Sequence, residues 1–243
     1  MSYEQPGPGR YWGQPLYGPG TAAEVDAGLR QYMVRVYSYM AAGLAISGLV
    51  AYLAVSTGFY QQIAGTPLIW IVMLAPLGMV LLLGFGINRM SIGAAFLAFW
   101  AFAALMGLSL AGIFLVFTGA SIARVFFISA ATFAAMSLYG YTTGSDLSRF
   151  GAFLFMGLIG IVIASLVNIF VGSNALQFAI SVIGVIVFTG LTAYDTQRIK
   201  QVYLASDPDD MATKKAILGA LTLYLDFINL FIMLPQLTGQ RRD

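Results

Sequence analysis

The stretch AILGALTLYLDFINLFIML, residues 216–234, decides the fold. At ~1.5 Å per residue, a helix of this length spans the ~30 Å hydrocarbon layer of a bilayer, although Asp226 stands near its middle. If it crosses, the spans are odd in number and the two termini lie on opposite sides. If it dips in and returns, the termini share a side. Upstream, six further apolar runs occupy residues 33–55, 68–87, 92–117, 120–141, 151–171 and 177–195, and the last run extends over 215–235. Only the residues around Thr118 to Ser121 separate the third run from the fourth, which makes that pair a tight hairpin. Gly65-Thr66-Pro67 and Gly172-Ser173-Asn174 read as turns. The pattern is that of an all-α integral membrane protein, a seven-transmembrane helix bundle.

Composition agrees. Of 243 residues, 59% are hydrophobic and 9% charged, against about 25% charged in a soluble domain. Too few polar side chains remain to coat a globule, so lipid is the solvent for most of the surface. The chain divides into a Pro/Gly-rich, disordered cytoplasmic tail (1–31, with QPGPGRYWGQPLYGPG), a transmembrane domain (32–237) and a short C-terminal tail (238–243). The tail lacks the basic-then-apolar order of a signal peptide. With no Cys and no His, disulfides, thiol catalysis, Cys/His zinc sites and His-activated nucleophiles are excluded. No basic cluster suits nucleic acid, and no cofactor motif occurs.

With the N-terminus in the cytoplasm, Arg10, Arg30, Arg35, Arg89, Arg149, Arg198, Lys200, Lys214 and Lys215 gather inside, against Arg124, Arg241 and Arg242 outside. This is a positive-inside asymmetry. A re-entrant last segment would bring Arg241 and Arg242 inside as well, so charge alone slightly favours that rival; length favours seven spans. Arg124 snorkels to the outer interface. Gly43, Ser47 and Ala51 form a small-residue row that lets helices approach closely. Trp70, Tyr139 and Tyr141, near span ends, suit interfacial belts.

Two acids lie within or at the edge of apolar runs: Asp226 in the seventh, and Asp195 at the end of the sixth. A charge at mid-bilayer costs ~2.5–3.5 kcal/mol on insertion scales, so Asp226 is the leading site candidate, with a protonated Asp bonded to a neighbouring helix as the plain alternative. Asp195 has Arg198 at i+3, and an interfacial ion pair is its plain reading. If the two carboxyls meet, they cannot both ionise cheaply and they share a proton. Such a pair can bind a divalent cation such as Ca²⁺ transiently, or work as a pH-set latch with an arginine. Arg89 and Arg35 are the cations on that face, and Tyr194, Tyr224 and Asn229 are available as hydrogen-bond partners. The acidic loop Asp207, Asp209, Asp210 lacks calcium-loop spacing and reads as solvated. Two membrane aspartates, the first in a Tyr-Asp pair, also resemble an intramembrane aspartyl protease, but Asp226 follows Leu223-Tyr224-Leu225 and lacks that family's Gly-x-Gly-Asp. The expectation is a protein that is not an enzyme.

At these residues the chain resembles the Bax inhibitor-1 family, in particular its bacterial members. The resemblance rests on LTLYLDFINLFIML (221–234), IVFTGLTAYDTQRIK (186–200), SLYGYTTGSDLSRFGAFLFMGLIGIVIASLVNIF (137–170) and AGLRQYMVRVYSYM (27–40). It implies a seven-helix fold whose last helix is central and wrapped by the other six. It implies that Asp195 and Asp226 form a paired-aspartate pH sensor, with a basic latch near the end of span two, for which Arg89 is the nearest candidate. Members are associated with a proton-sensitive calcium leak and, in eukaryotes, with suppression of stress-induced cell death. A bacterial branch is associated with modulating a membrane-anchored ATP-dependent protease.

The leading expectation is a pH-sensitive cation leak, with Ca²⁺ as the ion, in a bacterial inner membrane, its partners being the lipid bilayer, Ca²⁺ and protons. The alternative is a regulatory membrane protein whose N-terminal tail engages a membrane protease.

Overall fold

The computed structural model describes residues 21–240, with side chains from Asp26 onward. Most of the segment read as a tail, residues 1–20, lies outside the described residues, as do Arg241, Arg242 and Asp243. The elements are α1 (Thr21–Ser56), α2 (Phe59–Ala64), α3 (Leu68–Gly86) running into a 3₁₀ turn at Ile87–Arg89, α4 (Ile92–Leu110), α5 (Ile113–Val116), α6 (Gly119–Thr142), α7 (Ser148–Val171), α8 (Asn174–Val202) and α9 (Asp209–Thr238). Among the described residues, seven segments are long and apolar enough to cross a membrane. Their cores match the seven apolar runs, and the helices overrun them at polar ends. α1 begins ten residues before the boundary expected at residue 31, because Thr21 to Arg30 continue the helix beyond the apolar run.

The backbone explains these choices. In hydrocarbon every N–H and C=O must be satisfied within the segment, so apolar runs fold as helices. Breaks fall where side chains take over the capping. Ser91, Thr118 and Ser173 accept from the backbone N–H groups of Ala94, Ser121 and Leu176, opening α4, α6 and α8. The predicted turn at Gly172 is left-handed, φ 62°, a conformation glycine adopts without Cβ strain.

α9 is the axis of the bundle. Of its apolar stretch, 67% is buried, against 11–39% for the other six spans. It packs against α8, α1, α6, α4 and, lightly, α3. α7 is carried chiefly by α8, so the sheath around the axis is uneven. α9 is one unbroken helix, which a re-entrant hairpin is not, and Pro235 sits only in its last turn.

The small-residue row on α1 is a packing seam. A Cβ on Gly107 of α4 would strike the Ser47 backbone, and one on Gly43 would crowd Phe99 and Tyr224. Tyr141, near the end of α6, meets Lys200. Its carbonyl accepts from Lys200 Nζ at 2.9 Å, and its ring lies 5.1 Å beneath that ammonium, an arrangement that ties the end of α6 to α8.

Candidate functional site

α8 and α9, neighbours in sequence and space, bring Asp195 and Asp226 together. Both residues line the wall of a cavity of about 580 Å³ between α7, α8 and α9, with their carboxyls close enough to act on each other directly. Asp226 is 4% exposed, and no N–H or O–H of the described residues donates to its buried Oδ2. A hydrogen bond between two carboxyls needs a proton on the pair itself, since an ionised carboxylate only accepts. The arrangement can therefore hold one proton between two helices, or release it and present oxygen ligands.

Besides Ser148 of α7, the polar lining comes from side chains within about one helical turn of the two acids. On α9, Thr222, Asp226 and Asn229 stand at i, i+4 and i+7 on one face, and all three line the cavity, as that spacing requires. Thr222 Oγ1 donates to the Leu218 carbonyl at 3.1 Å. On α8, Tyr194 and Arg198 join them. Tyr194 lies flat against Gly151 of α7, where a Cβ would collide with its ring.

Three expected partners are elsewhere. Tyr224 is two residues from Asp226, about 200° around the helix, and so faces α1 and α4. Ser47 Oγ donates to the Ala103 carbonyl at 2.6 Å, leaving the Tyr224 hydroxyl to donate to Ser47 Oγ at 2.7 Å. Arg89 in its 3₁₀ turn and Arg35 on α1 are both exposed, and neither lines the aspartate cavity. The guanidinium that does line it is that of Arg198, exposed and within electrostatic reach of Asp195. It forms no ion pair with Asp195: among the described residues the ion pair is Lys215–Asp207, 2.6 Å.

That pair corrects the reading of the acidic loop. Asp207 is not solvated; its side chain is 12% exposed, and Lys215 Nζ also donates to the Val202 carbonyl at 3.1 Å. Asp209 and Asp210 occupy the first turn of α9, where the helix dipole favours acids. Sequence reading also missed a line of hydroxyls across three helices: Tyr37 to Ser137 at 2.6 Å and Ser137 to Thr196 at 3.0 Å. Outside the spans, the loop carboxylate Asp146 is held below the usual carboxylate value by hydrogen bonding from Ser148, side chain first and then backbone. Among the described residues no group of three or more acidic, Cys or His side chains is placed to hold a metal ion.

Known proteins share this arrangement of sequence. A family model described as inhibitor of apoptosis-promoting Bax1 matches residues 29–243. The inner membrane protein YbhL of Escherichia coli K12 is 49% identical over 220 residues, covering 89% of this chain and 94% of its own. The protein RP147 of Rickettsia prowazekii is 49% identical over 219 residues, covering 90% and 93%. The membrane protein SpyM3_0260 of Streptococcus pyogenes is 36% identical over 218 residues, covering 88% and 95%. With the family model matched across nearly all the described residues, and nearly half of the aligned positions identical in two relatives, this multi-pass membrane protein belongs to the Bax inhibitor-1 family.

Proposed function

We propose that the protein is a cation leak, with Ca²⁺ as its cargo, switched by the proton shared between Asp195 and Asp226. The observation that carries this is the carboxyl pair, Asp226 buried and Asp195 half-buried, on the wall of a cavity inside a bundle built for lipid. Intramembrane acids of this kind mark ion and proton pathways. When the pair loses its proton, it offers carboxylate oxygens beside the side-chain oxygens of Asn229 and Thr222. Calcium favours six to eight oxygen ligands, roughly, so these few hold it briefly, as a pathway needs and a resident site does not. Higher pH opens and lower pH closes, because the proton competes with the cation for the same oxygens. The same reading puts the N-terminus in the cytoplasm, supported by Arg30, Arg35, Arg89, Arg149, Arg198, Lys200, Lys214 and Lys215, which seven alternating spans gather toward one end of the bundle.

The test is dye-reported Ca²⁺ uptake into liposomes containing the purified protein, beside Asp195→Asn. Uptake that rises with pH in the wild type, with the variant shifted or insensitive, is the expected result. Uptake no greater than in empty liposomes overturns the leak and favours the partner-regulator alternative, whose handle, the tail, lies outside the described residues.

A further inference from the structure

Three cavities follow one another from the aspartate pair toward the end of the bundle where α1 begins. The first is the α7–α8–α9 cavity. The second, about 300 Å³, lies between α1, α3, α8 and α9, and shares Asp195, Arg198 and Thr222 with the first. The third, about 140 Å³, shares Tyr32 with the second and is lined by Asp207, Asp209 and Arg35. Lys215 stands on the wall of the second cavity, and its partner Asp207 on the wall of the third. The Lys215–Asp207 pair and Tyr32 therefore stand at the junction of the last two.

A cation moving along this line leaves Asp195, passes Arg198 and then meets Lys215. Two positive charges on the wall of a cavity of about 300 Å³ repel a divalent ion passing within a few ångströms. Their situations differ. Arg198 has only Asp195, outside ion-pair distance. Lys215 is cancelled at contact: its Nζ is 2.6 Å from Asp207 Oδ2, with the two side chains 21% and 12% exposed, so solvent screens the pair little. Removing the Asp207 charge would leave a bare ammonium facing the passage.

We propose that Asp207 is a specificity-determining residue of the conduction path, which keeps the inner cavities permissive to divalent cations by neutralising Lys215. The inference rests on the reading of the protein as a cation leak. A purely structural pair, pinning the α8–α9 loop, makes a different prediction. Breaking it from either side would then do equal harm, and the double variant would be no better than either single one.

The experiment is Ca²⁺ and K⁺ flux into liposomes for the wild type, Asp207→Asn, Lys215→Gln and the double variant, at one pH where the wild type conducts. Asp207→Asn is expected to lower Ca²⁺ flux by about fivefold or more and to lower the Ca²⁺/K⁺ ratio, because an uncompensated charge repels the divalent ion more. Lys215→Gln is expected to keep or raise the flux. The double variant is expected to return to within about twofold of Lys215→Gln, the charge having been removed with its partner. Equal loss in both single variants, no recovery in the double, or an unchanged ion ratio overturns the role of Asp207 while leaving the leak standing. A wild type that conducts nothing at any pH overturns both.

Discussion

Replacing Asp226 with leucine is expected to make the protein more stable while disabling the switch. The carboxyl is 4% exposed, and its Oδ2 receives no donor from the described residues. An unsatisfied buried polar atom costs about 1–3 kcal/mol, and a leucine there removes the deficit while adding apolar contact on the α8 side. The change also forfeits the proton proposed to be shared with Asp195, and side-chain hydrogen bonds between transmembrane helices are worth about 0.6 kcal/mol on average. The balance is a gain of about 1 kcal/mol or somewhat more, the sign found when buried polar groups are exchanged for apolar ones of similar volume. In a chain of this size that raises the thermal midpoint by about 2–4 °C per kcal/mol. Asp226→Asn keeps a polar group in the same place and is expected to melt close to the wild type. The assay is thermal unfolding in one detergent at one pH for the three proteins. A leucine variant that melts below both others would refute the reasoning, because it would mean that the carboxyl is held by donors and supports the axis helix.

Two further outcomes follow from other parts of the bundle. Ser47→Ala removes the acceptor of the fully buried Tyr224 hydroxyl and is expected to cost about 1–2 kcal/mol in the same unfolding assay. It should leave the pH midpoint of Ca²⁺ flux in place, since Tyr224 faces away from the aspartates. Asp146→Asn is likewise expected to leave that midpoint unchanged. Hydrogen bonding from Ser148 lowers the Asp146 value, so its contribution is complete above the ordinary carboxylate value of about 3.9 and is lost only as pH falls through the lowered one. Across about pH 5 to 8 it stays ionised. A shift of the midpoint in Asp146→Asn would show that the loop takes part in the switch.

The fold was legible because its signal is long and repetitive. Seven apolar runs, each near the thickness of a bilayer, leave little choice of architecture. The rival in which the last segment turns back arose from Arg241 and Arg242, and counting charges could not dispose of it; the unbroken course of α9 from Asp209 to Thr238 does. The candidate site was half legible. Asp195 and Asp226 stood out because carboxylates are expensive in lipid. The row Thr222, Asp226, Asn229 was readable from helical spacing, and the same spacing places Tyr224 on the opposite face. The ion pair between Asp207 and Lys215 was hidden because it closes across the turn between two helices, where the path of the backbone, and not the spacing in sequence, brings the charges together. Arg198 stands near Asp195 because the two are three residues apart on α8, a spacing the sequence shows; that Arg89 and Arg35 do not line the aspartate cavity depends on how α1 and α3 pack, which spacing within a helix does not reveal.

The most direct test of the shared-proton switch is the pH dependence of Ca²⁺ flux in liposomes, measured side by side for the wild type and Asp226→Asn between about pH 5 and 8. Wild-type flux that climbs with pH, next to a variant whose flux no longer follows pH, is the predicted result. Identical pH curves for the two proteins would contradict it, because the proton in control would then sit somewhere other than between Asp195 and Asp226.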